Sequence, residues 1–240
     1  MVVEPGNRNV INEAFRVLRT NLEFMTSASD HNVIAITSYN PGSGKSFCSI
    51  NMAVSLAIKN KKVLIVDGDL RHASMSSFFG KPHKGISNYL SKRTDDLKSL
   101  IMTSDKYPNL QYIPVGPIPP NPAELVAEER FSYAIESLKD EYDYVLIDCP
   151  PVDIVADTQI IGRSVDRTIF IVRAGLLDKS MLSELEDSYK TGKFRNLAVI
   201  LNGTEMASGG RYGYRYGYKY GYHYGSYGYY GSNKDIKTES

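Results

Sequence analysis

The chain has 240 residues, 42% of them hydrophobic, which is enough for one large core plus a tail, and its formal net charge is only +1. So balanced a charge supplies no global attraction to nucleic acid or an anionic membrane. Two distant cysteines, Cys48 and Cys149, follow neither metal nor disulfide spacing and fit a reducing compartment, and no apolar run approaches the ~18 residues of a membrane span.

Residues 12–26 place Phe15, Leu18, Leu22 and Met25 at helical period. The run VIAITS at 33–38 reads as a buried strand, and PGSGKS leads from it into a helix over about 44–59. A second buried strand covers 62–66 and ends in DGDLR. Residues 94–101 read as a short helix and 110–113 as a strand. The segment GPIPPNP at 116–122 is a rigid loop, because proline fixes φ and removes a donor. Pro122 suits the first turn of a helix running to about 139. Strands follow at 144–147, 168–172 and 197–201, with a helix at 180–191 before the last. Strands apolar on both faces, alternating with helices, predict an α/β fold: a mostly parallel central sheet flanked by helices on both faces. Ligands in such sheets bind at the carboxyl ends of the strands.

Three signals fall at such ends. The first is the loop from Ser38 to Ser46, between a strand and a helix. Gly42 and Gly44 let backbone N–H groups close on phosphate oxygens, and the helix N-terminus adds its own unpaired donors. Lys45 would bridge the β- and γ-phosphates and the Ser46 hydroxyl would hold Mg²⁺. Tyr39 stands where the motif usually has its first glycine. The second signal is VLIVDGDLR, which sends Asp67 and Asp69 off the end of a strand, and the third is VLIDCPP, which does the same with Asp148. A lone strand-end Asp is as readily a helix cap or turn former. Three of them beside a GKS loop instead offer the oxygen ligands that a hard cation next to a triphosphate requires.

The last fifth of the chain has a different character. From Arg211 it repeats a basic residue, Tyr, Gly, Tyr, and it holds ten of the 18 tyrosines: Tyr212, Tyr214, Tyr216, Tyr218, Tyr220, Tyr222, Tyr224, Tyr227, Tyr229 and Tyr230. Glycine at this density is too permissive for a helix or strand, so residues 206–240 read as a flexible tail on a domain spanning 1–205. The stretch after Gly203 would span roughly 120 Å fully extended and about 35 Å as a flexible chain.

PGSGKS, VLIVDGDLR and YVLIDCPPV resemble the Walker A, A′ and B motifs of the bacterial tyrosine kinases (BY-kinases) of capsule and exopolysaccharide production. GPIPPNPAEL and the tyrosine-rich tail are similar to that family too, so the resemblance covers about 12–203 and the tail beyond. It implies a P-loop NTPase fold, ATP/ADP and Mg²⁺ as ligands, and phosphoryl transfer from ATP to protein tyrosine, with the ten tail tyrosines as autophosphorylation sites. By the same resemblance Pro41, Gly42, Ser43, Gly44, Lys45, Ser46 and Phe47 form the nucleotide loop, and Asn202 matches a position that often touches the adenine in related ATPases. Ser46, Asp67, Asp69 and Asp148 form the metal shell. Lys45 and Asp67 are the catalytic pair, Asp67 accepting or orienting the tyrosine proton. Glu13, Arg16 and Arg19 fit the family's E-x-x-R-x-x-R oligomerisation motif, which implies a closed homo-oligomeric ring, an octamer in the family. On spacing alone the three are charges near one face of a solvated helix.

The resemblance further implies a membrane chain-length or export protein as activating partner, fused upstream or separate, and a counteracting tyrosine phosphatase. It places the chain at the cytoplasmic face of the bacterial inner membrane, and the abrupt start before the first helix favours fusion. One departure is Asn40: partitioning and septum-placement ATPases carry a signature lysine there. Arg71 and Arg173 are the candidates for a further cation at the transferring phosphoryl group. The rival readings are a partitioning-type ATPase without tyrosine transfer, a nucleic-acid or polymer binder using the RYGY repeats, and a self-associating tail. Arg211, Arg215 and Lys219 are the only permanent charges of the RYGY repeats, which makes nucleic-acid binding weak and salt-sensitive and leaves no nucleic acid among the expected partners.

Overall fold

A computed structural model of the chain describes residues 1–26, 32–152 and 157–204. The tail and all ten of its tyrosines lie outside the described residues. In chain order the elements are α1 (Val10–Met25), β1 (Val33–Thr37), α2 (Lys45–Ala57), β2 (Val63–Asp67), α3 (Ser74–Ser77), α4 (Ile86–Leu90), β3 (Met102–Thr103), β4 (Leu110–Ile113), α5 (Pro122–Ala127), α6 (Glu129–Lys139), β5 (Tyr144–Asp148), α7 (Asp157–Ile161), β6 (Arg167–Arg173), α8 (Met181–Lys190) and β7 (Leu197–Asn202). The sheet runs β3-β4-β2-β5-β1-β6-β7, and every pairing is parallel except that of β3 with β4.

Side chains on a strand alternate between faces, and that alternation sorts the core into two layers. Val33, Ala35, Leu64, Val66, Val145 and Ile147 face the side covered by α5, α6 and α7. Their neighbours Ile34, Ile36, Val63, Ile65, Tyr144 and Leu146 face α1 and α2. Each fully buried aliphatic side chain contributes about 1.5–3 kcal/mol, so β1, β2 and β5, buried at every position, anchor the sheet. A smaller cluster of Tyr39, Phe170, Val172, Leu185 and Phe194 packs α8 against β6.

Three sequence expectations need correction. The helix expected over 122–139 breaks at Glu128, whose backbone is extended (φ −66°, ψ 145°), giving α5 and α6. The helix expected over 94–101 is a single 3₁₀ turn, Lys98–Leu100. β7 is apolar in sequence but forms the sheet edge, where Val199 and Leu201 are exposed. Phe47 turns its ring onto Phe15 of α1, with centroids 5.9 Å apart. Among the described residues no helix is long and apolar enough to cross a membrane.

A candidate nucleotide and metal site at the strand ends

α2 begins without a side-chain cap. Its N-cap residue is Gly44 at φ 93°, and no acidic residue lies in its first turn. The first-turn N–H groups and the positive end of the helix dipole are therefore left for an anion. Gly42 also has positive φ, 75°. Gly44 is required for a second reason: a Cβ there would come within 2.3 Å of Asn202 Nδ2. Ser43 Oγ donates to the Asn40 carbonyl at 2.8 Å, which folds the loop on itself.

Asp67 and Asp148 are register partners on adjacent strands. Both continue the stripe that faces α2, by the same alternation that sorts the core. Asp148 Oδ2 accepts from Ser46 Oγ at 2.5 Å and its Oδ1 from Ser49 Oγ at 2.9 Å. Asp67 Oδ2 accepts from both the backbone N and the Oγ of Ser76, at 2.8 and 2.6 Å, and its Oδ1 accepts from Asp69 N at 3.2 Å. Asp69 Oδ1 receives Arg71 N and His72 N at 3.2 and 3.1 Å. It thus performs the turn-forming task open to any strand-end Asp, while its charge still reaches both other carboxylates.

All three carboxylates are buried. Burial, and secondarily the Asp148 charge, pushes the Asp67 carboxyl up to about 8. Burial also raises Asp148, to about 6, against the opposing pull of the Ser46 and Ser49 hydroxyls and the Lys45 ammonium. Neither has an arginine or lysine among its hydrogen-bond partners. Buried acids that hold protons above the ordinary carboxylate range are short of positive charge. A cation beside Ser46 and Asp148 would supply it, so the residues present fit magnesium. Among the described residues no group of three or more His, Cys, Asp or Glu forms a cage of its own. Magnesium takes one or two carboxylates plus phosphates and water and needs no such cage.

The remaining expected residues are placed as follows. Arg71 Nε pairs with the buried Asp157 at 3.1 Å. Arg173 Nη1 donates to the Gly42 carbonyl at 2.6 Å, and Asn202 Nδ2 to the Ser43 carbonyl at 2.9 Å. Pro41 is exposed at the mouth of the loop. On α1, Glu13 and Arg16 form an exposed ion pair at 2.6 Å. Arg19 departs from a solvated face: it is buried, and its Nη1 donates to the Ser55 carbonyl of α2 at 3.0 Å. Sequence reasoning missed Ser49 and Ser76. Ser49 was recoverable, being one helical turn beyond Ser46 on the same face. Ser76 lies nine residues past its partner Asp67, and no local pattern marks it.

The AAA domain family matches residues 31–175. The tyrosine-protein kinase YwqD of Bacillus subtilis is 34% identical over 214 residues, 89% of this chain and 89% of YwqD. The tyrosine-protein kinase Etk of Escherichia coli is 35% identical over 203 residues, which are 84% of this chain but 28% of Etk. The solved kinase domain of Etk superposes with a TM-score of 0.75 at 34% identity, covering 85% of this chain and 80% of that domain. The septum site-determining protein MinD of Pyrococcus horikoshii, solved with Mg-ADP, superposes with a TM-score of 0.58 at 25% identity, covering 70% of this chain and 67% of MinD.

Proposed function

The chain belongs to the bacterial tyrosine-protein kinase family, and from that membership we propose that it transfers phosphate from ATP to tyrosines of its own tail, Tyr212 to Tyr230, in a neighbouring subunit. The observation that carries this reading is the juxtaposition of Asp67 and Asp148, in register and short of positive charge, with Ser46 and the uncapped start of α2. In this reading the backbone N–H groups of residues 42–47 and the Lys45 ammonium bind and orient the phosphates. Ser46 and Asp148 hold Mg²⁺, with Asp67 and Asp69 behind them. Mg²⁺, when bound, neutralises charge on the phosphate oxygens. Asp67 is covered and its Oδ2 is taken by Ser76. That favours a role in orienting the phenol proton through the metal shell over direct contact with it, and phosphoryl transfer makes little demand for a strong base.

The division into a kinase domain, 1–205, and a phosphoacceptor tail, 206–240, is part of the proposal. So is a ring assembled through α1, with Glu13 and Arg16 at the contact and Arg19 bracing the helix from inside. Phosphorylation adds about −1.5 to −2 charge per tyrosine. Two or three phosphates would outweigh Arg211, Arg215 and Lys219, so a heavily modified tail loosens the ring. The role follows as control of capsule or exopolysaccharide polymerisation and export at the cytoplasmic face of the inner membrane. A membrane export protein, fused or separate, activates the kinase and a phosphatase reverses it.

The test is incubation with Mg·ATP and mapping of phosphotyrosine by mass spectrometry, with Lys45→Met as control. Label on the tail that vanishes in the variant supports the kinase. ATP turnover without label would move the assignment to a MinD-like ATPase.

A further inference from the structure

Two strand-end side chains converge on the phosphate loop. Arg173 and Asn202 are register partners on β6 and β7, and the Ala174 N–H closes the pair by donating to the Asn202 carbonyl at 2.9 Å. Each continues the stripe of its strand that faces α2, after Ile169 and Ile171 on β6 and after Ala198 and Ile200 on β7. Their targets are successive carbonyls of one loop: Arg173 Nη1 reaches Gly42 O at 2.6 Å and Asn202 Nδ2 reaches Ser43 O at 2.9 Å. The Arg173 side chain is backed by Gly203, where a Cβ would lie 3.3 Å from its Cγ.

The consequence lies in the peptide unit. A trans peptide is planar, and its N–H points opposite to its C=O. Holding Gly42 O therefore aims the Ser43 N–H the other way, and holding Ser43 O does the same for the Gly44 N–H. These are the donors that a glycine-rich loop presents to phosphate. Gly42 and Gly44, both at positive φ, would otherwise leave both peptide planes free to rotate.

We propose that Arg173 and Asn202 are positioning residues that act together as a clamp, presetting the Ser43 and Gly44 N–H groups for the diphosphate of the nucleotide. The inference rests on the nucleotide reading above and departs from it in one respect. Asn202 serves the phosphate loop through Ser43, and its effect on affinity does not depend on a base. Arg173 acts through the Gly42 carbonyl and not as a cation on the transferring phosphoryl group.

The experiment is calorimetric binding of Mg·ADP and of inorganic pyrophosphate with magnesium to the full chain, its Arg173→Ala, Arg173→Lys and Asn202→Ala variants, and the double alanine variant. Each single alanine variant is expected to weaken ADP and pyrophosphate by the same factor, about 5- to 10-fold. The double variant should fall short of the product of the two, because both residues hold one loop. Arg173→Lys, which keeps a donor, should recover most of the loss. In kinase assays the KM for ATP should rise while kcat holds, as expected when ground state and transition state lose the same binding. Arg173 is exposed, so its variants should fold. ADP weakened with pyrophosphate unchanged would make Asn202 a base contact and overturn the clamp. A loss confined to kcat would make Arg173 a transition-state cation and overturn it too. Unchanged affinities in variants of a chain that binds ADP normally would overturn the clamp alone. A wild-type chain that binds neither ligand would remove the nucleotide reading, and the clamp with it.

Discussion

The strand-end edge and helix α1 use charged residues in opposite ways. On α1 the charges have their partners: Glu13 holds Arg16 in water, and Arg19 is spent on the Ser55 carbonyl. At the strand ends Asp67 and Asp148 lie side by side, buried, with hydroxyls and backbone N–H groups where cations would be expected. The first arrangement is paired as folded, apart from the buried Arg19 Nε, which has no hydrogen bond. The second carries an electrostatic cost that the proposed cation and nucleotide would relieve, which is how a binding site differs from a stabilising ion pair.

The largest expected effect tests whether the incomplete edge performs chemistry at all. Lys45→Met should lower phosphotyrosine formation at least about 10²-fold while the melting curve stays cooperative. A variant as active as wild type would break the contrast.

Next comes the pH dependence of stability. The folded chain keeps the Asp67 proton up to about pH 8, whereas the unfolded chain releases it near 3.8. Between those limits the folded state binds more protons, so stability without nucleotide should fall as pH rises through the window, with Asp148 adding to the fall up to about 6. Denaturant melts at pH 5 and pH 8 measure this. Asp67→Asn should flatten the slope and raise stability at pH 8 by about 1–3 kcal/mol. Stability that rises with pH would mean that the edge is already compensated.

The α1 face supplies the converse. Arg19→Ala removes a buried donor and should cost about 1–3 kcal/mol, while Arg16→Ala should cost less than about 1 kcal/mol. Light scattering should show Arg16→Ala shifting the oligomer with its melting point kept. Equal stability losses from the two would erase the distinction between a structural and an interface arginine.

The smallest effect asks whether the cost of the edge is conformational as well as electrostatic. Ala73, which ends the turn after Asp69, sits in the left-handed region at φ 50°. Ala73→Gly should stabilise by up to about 1 kcal/mol, read from the same melts. A loss would show that the turn is unstrained.

The contrast also explains what the sequence could say. β1, β2 and β5 were legible because four consecutive apolar residues admit few alternatives beside a glycine loop, and Ser46, Asp67 and Asp148 were read from the segments at their ends. α3 and α4 were not legible. Ser74–Ser77 has no apolar period, and α4 is fixed by tertiary contacts, with Ile86 N and Ser87 N donating to the Pro114 and Val115 carbonyls at 2.8 and 3.0 Å. The break at Glu128 has no marker, since glutamate favours helix and only its surroundings extend it. Nor could spacing reveal that Arg19 alone of its motif turns inward, because the choice is made by α2. Arg173 was legible as a cation near the site, but its target, a loop carbonyl, depends on the pairing of β6 with β7.

The most direct test of the central claim is a crystal structure of the chain with Mg·ADP. The account predicts magnesium beside Ser46 and Asp148, the diphosphate on the N–H groups from Ser43 to Ser46, and the Arg173 and Asn202 bonds to the loop unbroken. A nucleotide seated away from the strand ends, or bound there with Asp67 and Asp148 turned from the metal, would contradict it.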